Sequence, residues 1–233
     1  MSLELLQKSS KVHINCFSLS RPVKKGEFID FFISHSWLDD PTLKWHALQL
    51  LADEFTLEVG RQPTFWFDKA CIDQQNIEDG LAMLPMNVMA CERMLILCGE
   101  NYPERIWCAW EICTILSFVS LEQALAQIVI VPLVYTIQDE KEECRKDERR
   151  GSFVEAYGTT AFAESLPIKK LLDFDVNVAR CYDPNDERRL RAVIRTVGQH
   201  DFNKKVRSLA SAAIKPQRKE PKKSASWENA YFA

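Results

Sequence analysis

The sequence contains no CxxC pair and no group of cysteines and histidines at the spacing that metal sites use. Its eight cysteines lie at positions 16, 71, 91, 98, 108, 113, 144 and 181, scattered along the chain. This scatter argues against the common zinc motifs, and we expect no bound metal. The cysteines are instead expected to be free thiols in or near the core, in a reducing compartment.

The chain also lacks a long apolar run and a strong net charge. Its opening residues contain no apolar stretch of the kind that a secretory leader needs, and the longest apolar run covers only residues 128–135. The net charge is −3, which gives no field that favours nucleic acid or a membrane as the main partner. We therefore expect a soluble, cytoplasmic protein with no nucleic acid partner and no membrane segment.

A chain of 233 residues is long enough for one well-buried domain with extensions and short for two independent cores. We expect an N-terminal extension or linker at 1–27 and the domain at 28–208. A dense mixed-charge insertion is expected at about 137–165, and a flexible basic and polar tail at 209–233.

Five short segments rich in β-branched and aromatic residues predict strands, at 28–33, 64–67, 93–98, 128–135 and 177–182. All but the last are almost continuously apolar, which is typical of strands covered on both faces. Helix-sized segments lie between them. One begins at Pro41, with Asp39 and Asp40 as cap candidates, and others span 77–91, 104–125 and 183–197. This alternation predicts an α/β fold with a parallel sheet and helices on both faces.

Ligands of an open α/β sheet bind at the carboxyl ends of the strands, in the crevice where the strand order reverses. If the order is 2-1-3-4-5, the first and third strands are neighbours at that crevice. The residues that follow the strands, together with the start of the next helix, are then the candidates for binding. These candidates are Ser34, His35, Ser36, Trp37, Asp68, Lys69, Gly99, Trp107 and Cys108.

Glu111 lies in the stretch IWCAWEI at 106–112, where one carboxylate is surrounded by aromatic and aliphatic residues. It is either the wet position of an amphipathic helix or a functional group in an aromatic-walled cleft. Trp107 and Trp110 are three residues apart and either pack together or stack on a ligand. Cys108 is expected to be a core thiol and not a nucleophile, because no histidine lies near it in sequence.

Two other candidates have structural alternatives. His35 is either a ligand-binding residue or a satisfied structural histidine at a strand end, and we assign it to binding rather than to catalysis. Asp68 either contacts a ligand or caps the turn that begins the loop after the second strand.

Three stretches, DFFISHSWLDD, FWFDKACIDQQNIEDGLAMLP and RMLILCGENYPERIWCAWEI, resemble the successive motifs of the TIR (Toll/interleukin-1 receptor) domain family. The resemblance covers about residues 28–135, with a weaker fit to 197. It implies a flavodoxin-like, five-stranded parallel sheet in the order 2-1-3-4-5. The same order was assumed above for the strands predicted from hydrophobic pattern.

The family contains enzymes that cleave the nicotinamide-ribose bond of NAD+ and adaptors that only assemble with other TIR domains. In the enzymes a glutamate on the helix after the third strand is catalytic, and by motif it corresponds to Glu111. The resemblance thus implies an NAD+ hydrolase with NAD+ as substrate and no prosthetic group. It also implies TIR-TIR self-association, in a context of signalling, innate immunity or cell death.

Two alternatives stay open at this point. One is a non-catalytic interaction module, and the other is a purely structural use of the fold, since fold alone does not fix function. The loop DKACIDQQNIEDGLAMLP departs from the Arg-Asp and Pro-Gly signature of many TIR domains, which puts adaptor-type contacts in doubt. Its start, FWFDKACIDQ, is also similar to a signature of fungal heterokaryon-incompatibility domains.

Overall fold

A computed structural model of the chain describes Leu6 and residues 16–72, 82–134 and 159–214. Four parallel strands form one sheet in the order β2-β1-β3-β4. They are β1 (Ile29–His35), β2 (Phe65–Trp66), β3 (Cys91–Cys98) and β4 (Ile128–Pro132). The first four predicted strands and the predicted neighbourhood of β1 and β3 are confirmed.

Helices accompany the sheet along the chain. Those of the described residues are α1 (Pro41–Val59), α2 (Asp68–Cys71), α3 (Leu84–Met89), α4 (Ile106–Phe118), α5 (Leu121–Gln127), α6 (Thr159–Glu164), α7 (Leu166–Leu172), α8 (Pro184–Thr196) and α9 (Gln199–Ile214). Short 3₁₀ turns lie at Cys16–Leu19 and Tyr102–Glu104. Within the described part, no helix combines the length and the apolar character that crossing a bilayer requires.

Both faces of the sheet are covered, as the continuous apolar strands predict. Successive residues of a strand point to opposite faces, so Phe31 and Ile33 join a core cluster with α1. Phe32 joins the second cluster, which contains residues of α4, α7, α8 and α9. The result is a three-layer α/β/α arrangement. Because β1 and β3 are the two central strands, their carboxyl ends lie side by side in the middle of the sheet.

The fifth predicted strand, at 177–182, does not form. The segment makes one isolated bridge, Arg105 to Arg180, and otherwise consists of turns and irregular backbone. The guanidinium of Arg191 donates to the carbonyls of Val176, Asn177 and Ala179, which a strand ladder would need. The Asp175 side chain also accepts from the Asn177 backbone N–H at 3.0 Å, a local turn that competes with extended backbone.

The helix predicted at 104–125 is two helices. Ser120 interrupts it, because its side chain accepts the Gln123 N–H and the Gln123 side chain accepts the Ser120 N–H. This reciprocal capping box begins α5 as a new helix. The helix predicted at 77–91 is short where it is described: α3 covers Leu84–Met89, and β3 begins at Cys91.

Some buried residues lie outside the range 28–208. α9 runs to Ile214, and its residues Leu209 and Ala210 are buried. Leu6 and Cys16, in the predicted N-terminal extension, pack in the cluster that contains α1. Most of the predicted insertion at 137–165 and residues 215–233 of the predicted tail lie outside the described residues.

Candidate functional site

Glu111 projects from the second turn of α4 towards the end of β1. Its Oε2 accepts a hydrogen bond from the Ser34 hydroxyl at 2.5 Å, and Ser34 Oγ lies 2.6 Å from the Tyr102 hydroxyl. Ser34 and Tyr102 are almost fully buried, whereas Glu111 keeps some exposure. The structure thus brings the predicted carboxylate to Ser34, the first residue of the predicted Ser34–Trp37 group, at the reversal between β1 and β3.

Burial is the main influence on the Glu111 carboxyl and raises its pKa from an ordinary 4.5 to about 8. The Ser34 hydrogen bond opposes this shift, and the negative charge of Asp68 adds to it. At neutral pH the group is therefore mainly a neutral acid. A carboxyl that ionises near physiological pH, with some solvent access, is typical of functional sites.

Trp37 and His35 surround the Asp68 carboxylate at the ends of β1 and β2. Trp37 Nε1 donates to Asp68 Oδ2 at 3.0 Å, and His35 Nε2 lies 3.6 Å from Asp68 Oδ1. The His35 ring is stacked on Phe67 and meets Trp37 edge-on. Both nitrogens of this buried ring lack a hydrogen-bond partner. The His35 side chain is therefore held by ring packing and not by hydrogen bonds.

Lysine side chains lie beside the Trp37 indole. Lys69 Nζ is 5.4 Å from the ring centroid and Lys44 Nζ is 5.6 Å from it, distances at which a cation is attracted to the ring face. The Ser36 hydroxyl accepts the Leu38 N–H at 3.2 Å, an arrangement that shapes the loop. The predicted candidates Ser36, Trp37, Asp68 and Lys69 therefore belong to one connected group.

Gly99 has a packing role that the sequence does not reveal. A Cβ at this position would lie 2.1 Å from Cγ of Asp39, so only glycine leaves room for that side chain. Asp39 Oδ1 accepts from both the backbone N–H and the side-chain amide of Asn101, each at 2.9 Å. This contact joins the loop after β1 to the loop after β3. Asp40, not Asp39, caps α1.

Trp107 and Trp110 meet edge to face with ring centroids 5.9 Å apart, and Trp110 is buried. Trp107 keeps partial exposure and packs against the core. Cys108 is buried and donates to the His35 carbonyl at 3.4 Å. Burial, with the Glu111 charge, raises the pKa of its thiol well above the ordinary value, which is the opposite of what a nucleophilic thiolate needs.

Sequence reasoning missed Tyr102 and Lys44. Tyr102 follows β3 closely, but nothing in its local pattern indicates that its hydroxyl reaches Ser34. Lys44 had a signal: it shares the inward face of α1 with Ala47, Leu48 and Leu51, where a lysine breaks the apolar periodicity.

Two described cavities lie away from Glu111. One, of about 450 Å³, is lined by charged and polar residues that include Arg21, Glu27, Arg61 and Glu92. The other, of about 280 Å³, lies beside Pro103, Leu166 and Val178. They are less favoured as a reaction site than the Glu111 region, because neither contains a partly buried acid with a raised pKa.

Among the described residues no group of three or more histidine, cysteine, aspartate or glutamate side chains is arranged to hold a metal ion. The seven described cysteines are free thiols. Comparison of the chain with protein-family models, with curated proteins and with solved structures finds no match. The fold and the site together define an α/β protein with a partly buried carboxyl group at the reversal point of a parallel sheet.

Proposed function

We propose that the protein cleaves the nicotinamide-ribose bond of NAD+ and that Glu111 is the catalytic carboxylate. The observation that carries this proposal is the 2.5 Å contact between Glu111 and Ser34, at the point where this kind of sheet binds ligands. The motif resemblance to TIR domains supports the same assignment and suggests a signalling, immune or cell-death context. It also gives NAD+ as the substrate.

Cleavage of the nicotinamide-ribose bond requires a negatively charged group beside the ribose and does not require a proton donor. When the bond between the ribose C1′ and the pyridinium nitrogen breaks, both electrons go to that nitrogen, and nicotinamide leaves as a neutral base. Positive charge then develops on the ribose, and a carboxylate beside it stabilises this oxocarbenium-like state. Water completes the hydrolysis by adding to C1′ and losing a proton, so no second, proton-donating carboxyl is required.

Glu111 must be ionised for this role. Its pKa of about 8 leaves it mainly protonated at neutral pH in the free protein. The fixed positive charge of the nicotinamide ring favours the ionised form when the substrate binds. The Ser34 hydroxyl, itself next to the Tyr102 hydroxyl, donates to Glu111 and fixes the carboxylate's orientation.

The remaining candidates suit binding of the rest of the dinucleotide. Trp37 has a partly exposed indole that is available for stacking on a planar base, and its N–H is fixed by Asp68. Lys69, on the same ring, provides positive charge for an anionic group such as a diphosphate.

One observation favours a second candidate function, self-association without catalysis. Met83, Met86 and Met89 are exposed and follow each other at intervals of three along and beside α3. Residues at this spacing share a helix face, and methionine-rich faces are adaptable contact surfaces. An adaptor of this kind would assemble through that face and would leave NAD+ intact.

Nicotinamide release from NAD+ distinguishes the two functions. The assay compares wild type, Glu111→Gln and, as a matched control, Glu122→Gln, whose side chain is exposed on α5. It is run at high protein concentration, since assembly activates many enzymes of the family. We expect Glu111→Gln to lose at least about 100-fold in rate and Glu122→Gln to match the wild type. Equal release by wild type and Glu111→Gln removes Glu111 from the reaction, and no release by assembled wild type favours the adaptor.

A further inference from the structure

Lys44 is a fully buried lysine in the first turns of α1, with no exposed surface. Its ammonium donates to the Ser36 carbonyl at 3.0 Å and lies 5.6 Å from the centroid of the Trp37 ring. Both contacts are to the loop between β1 and α1, which begins directly after the end of β1, where Ser34 binds Glu111. Lys44 therefore connects the helix to the loop that begins two residues after Ser34.

The position is unfavourable for a cation in two ways. Burial removes most of its hydration, and the start of a helix carries partial positive charge. Burial lowers the pKa of Lys44 to about 8, while the negative charges of Asp39, Asp68 and Asp40 oppose that shift. Residues that break local rules in this manner concentrate at functional sites.

The loop that Lys44 contacts is also hydrogen-bonded to Asp68, a residue that follows β2. Trp37 is held on one side by the ammonium and through its N–H by Asp68, which follows β2. A loop residue with a long aromatic side chain has several rotamers available, and these two contacts select one of them. An apolar side chain of equal length at position 44 fills the same space but removes the attraction for the ring and for the carbonyl.

We propose that Lys44 is a positioning residue, which holds the Ser36 carbonyl and the Trp37 indole in the arrangement that receives the substrate beside Glu111. This role deepens, and rests on, the proposed cleavage of NAD+. Lys44 does not touch the reacting atoms. It acts through Trp37, so its loss weakens substrate binding more than it slows the chemical step.

Steady-state kinetics test this role with Lys44→Met, Lys44→Arg and the control Lys204→Met, which replaces an exposed lysine on α9. We expect Lys44→Met to raise KM for NAD+ about tenfold and to leave kcat within about threefold. Lys44→Arg keeps the charge and is expected to restore part of the affinity, whereas Lys204→Met keeps wild-type values. An unchanged KM in folded Lys44→Met overturns the proposal.

A second measurement does not depend on activity. The Trp37 indole N–H resonance, assigned by its loss in Trp37→Phe, is followed from about pH 6.5 to 9.5 in ¹⁵N-labelled protein. We expect it to shift with a midpoint near 8, the pKa of Lys44, and to do so also in Glu111→Gln, where the other nearby group with that pKa is absent. If the wild type does not cleave NAD+, the proposed function fails, but this titration still tests whether the Lys44 ammonium contacts the Trp37 ring. A resonance in wild type and Glu111→Gln that does not move overturns the role of Lys44, even where Lys44→Met fails to fold.

Discussion

At the scale of single residues, the burial of Glu111 lowers the stability of the fold at high pH and also raises the pKa of the proposed catalytic group. Its pKa rises from 4.5 to about 8, mainly through burial. Between these two values the unfolded chain has released the proton that the folded protein still holds. The unfolded state therefore binds fewer protons than the folded state, and stability falls as the pH rises through this window.

Glu111→Gln removes this loss, because glutamine has no proton to release. We expect the variant and the wild type to have similar free energies of unfolding near pH 5. At pH 8.5 we expect the variant to be more stable by about 2 kcal/mol, a value reduced from the full shift because the carboxyl keeps some exposure. Urea unfolding at both pH values measures the difference, with Glu122→Gln as control. A difference that does not depend on pH contradicts the buried state of Glu111.

Gly99 and Asp39 are coupled by shape. The Cβ that Gly99→Ala introduces falls on the Asp39 carboxyl, which Asn101 fixes with two hydrogen bonds. We expect Gly99→Ala to cost about 2 kcal/mol in the wild type and much less in Asp39→Ala, where the obstacle is gone. A double-mutant cycle by denaturant unfolding gives the coupling energy. Additive costs exclude the close contact.

At the scale of elements, the start of α5 depends on one capping residue. The Ser120 hydroxyl accepts the Gln123 N–H at 3.2 Å, and the Ser120 N–H donates to the Gln123 side-chain oxygen at 2.9 Å. We expect Ser120→Ala to lower the free energy of unfolding by about 1 kcal/mol. Ser211→Ala, at an exposed position inside α9, is expected to be neutral or slightly stabilising. Equal effects of both substitutions contradict the capping role.

The same element shows where sequence patterns reach their limit. Residues 104–125 read as one helix because apolar residues continue across the junction, and only the hydrogen bonds of Ser120 divide them. The predicted fifth strand fails for a similar reason. Arg191, more than ten residues away in sequence, takes the backbone carbonyls that a ladder would use. Such contacts between distant residues cannot be predicted from local hydrophobic periodicity.

At the scale of the whole molecule, the sheet's four strands follow from their apolar runs, and the order of β1 and β3 places Glu111 opposite Ser34. Glu111 is a candidate because of its place after the third strand and its match to the family motif, whereas the sequence leaves the direction of its side chain open. Lys44 and Tyr102 could not be assigned to the site from sequence, because Tyr102 reaches Ser34 on the neighbouring strand and Lys44 bonds a backbone carbonyl of the loop before α1.

Two described residues of the predicted N-terminal extension, Leu6 and Cys16, belong to the core cluster that contains α1. Leu6 is buried in the α1-side cluster, whereas Leu19 is 60% exposed. We expect Leu6→Ala to cost about 3 kcal/mol and the matched control Leu19→Ala less than about 0.5 kcal/mol. Thermal and denaturant unfolding measure both. A Leu6→Ala variant as stable as Leu19→Ala shows that this residue does not pack on the domain.

The measurement that most directly tests the role of Glu111 is the dependence of kcat/KM for nicotinamide release on pH. The account predicts that the wild-type value rises with pH up to about 8, as free Glu111 becomes a carboxylate, and stops rising above that pH, where Lys44 loses its proton. It also predicts that Glu111→Gln stays low at every pH and lacks the rise below pH 8. A wild-type profile without this rise, or a Glu111→Gln profile that follows the wild type, contradicts Glu111 as the catalytic carboxylate.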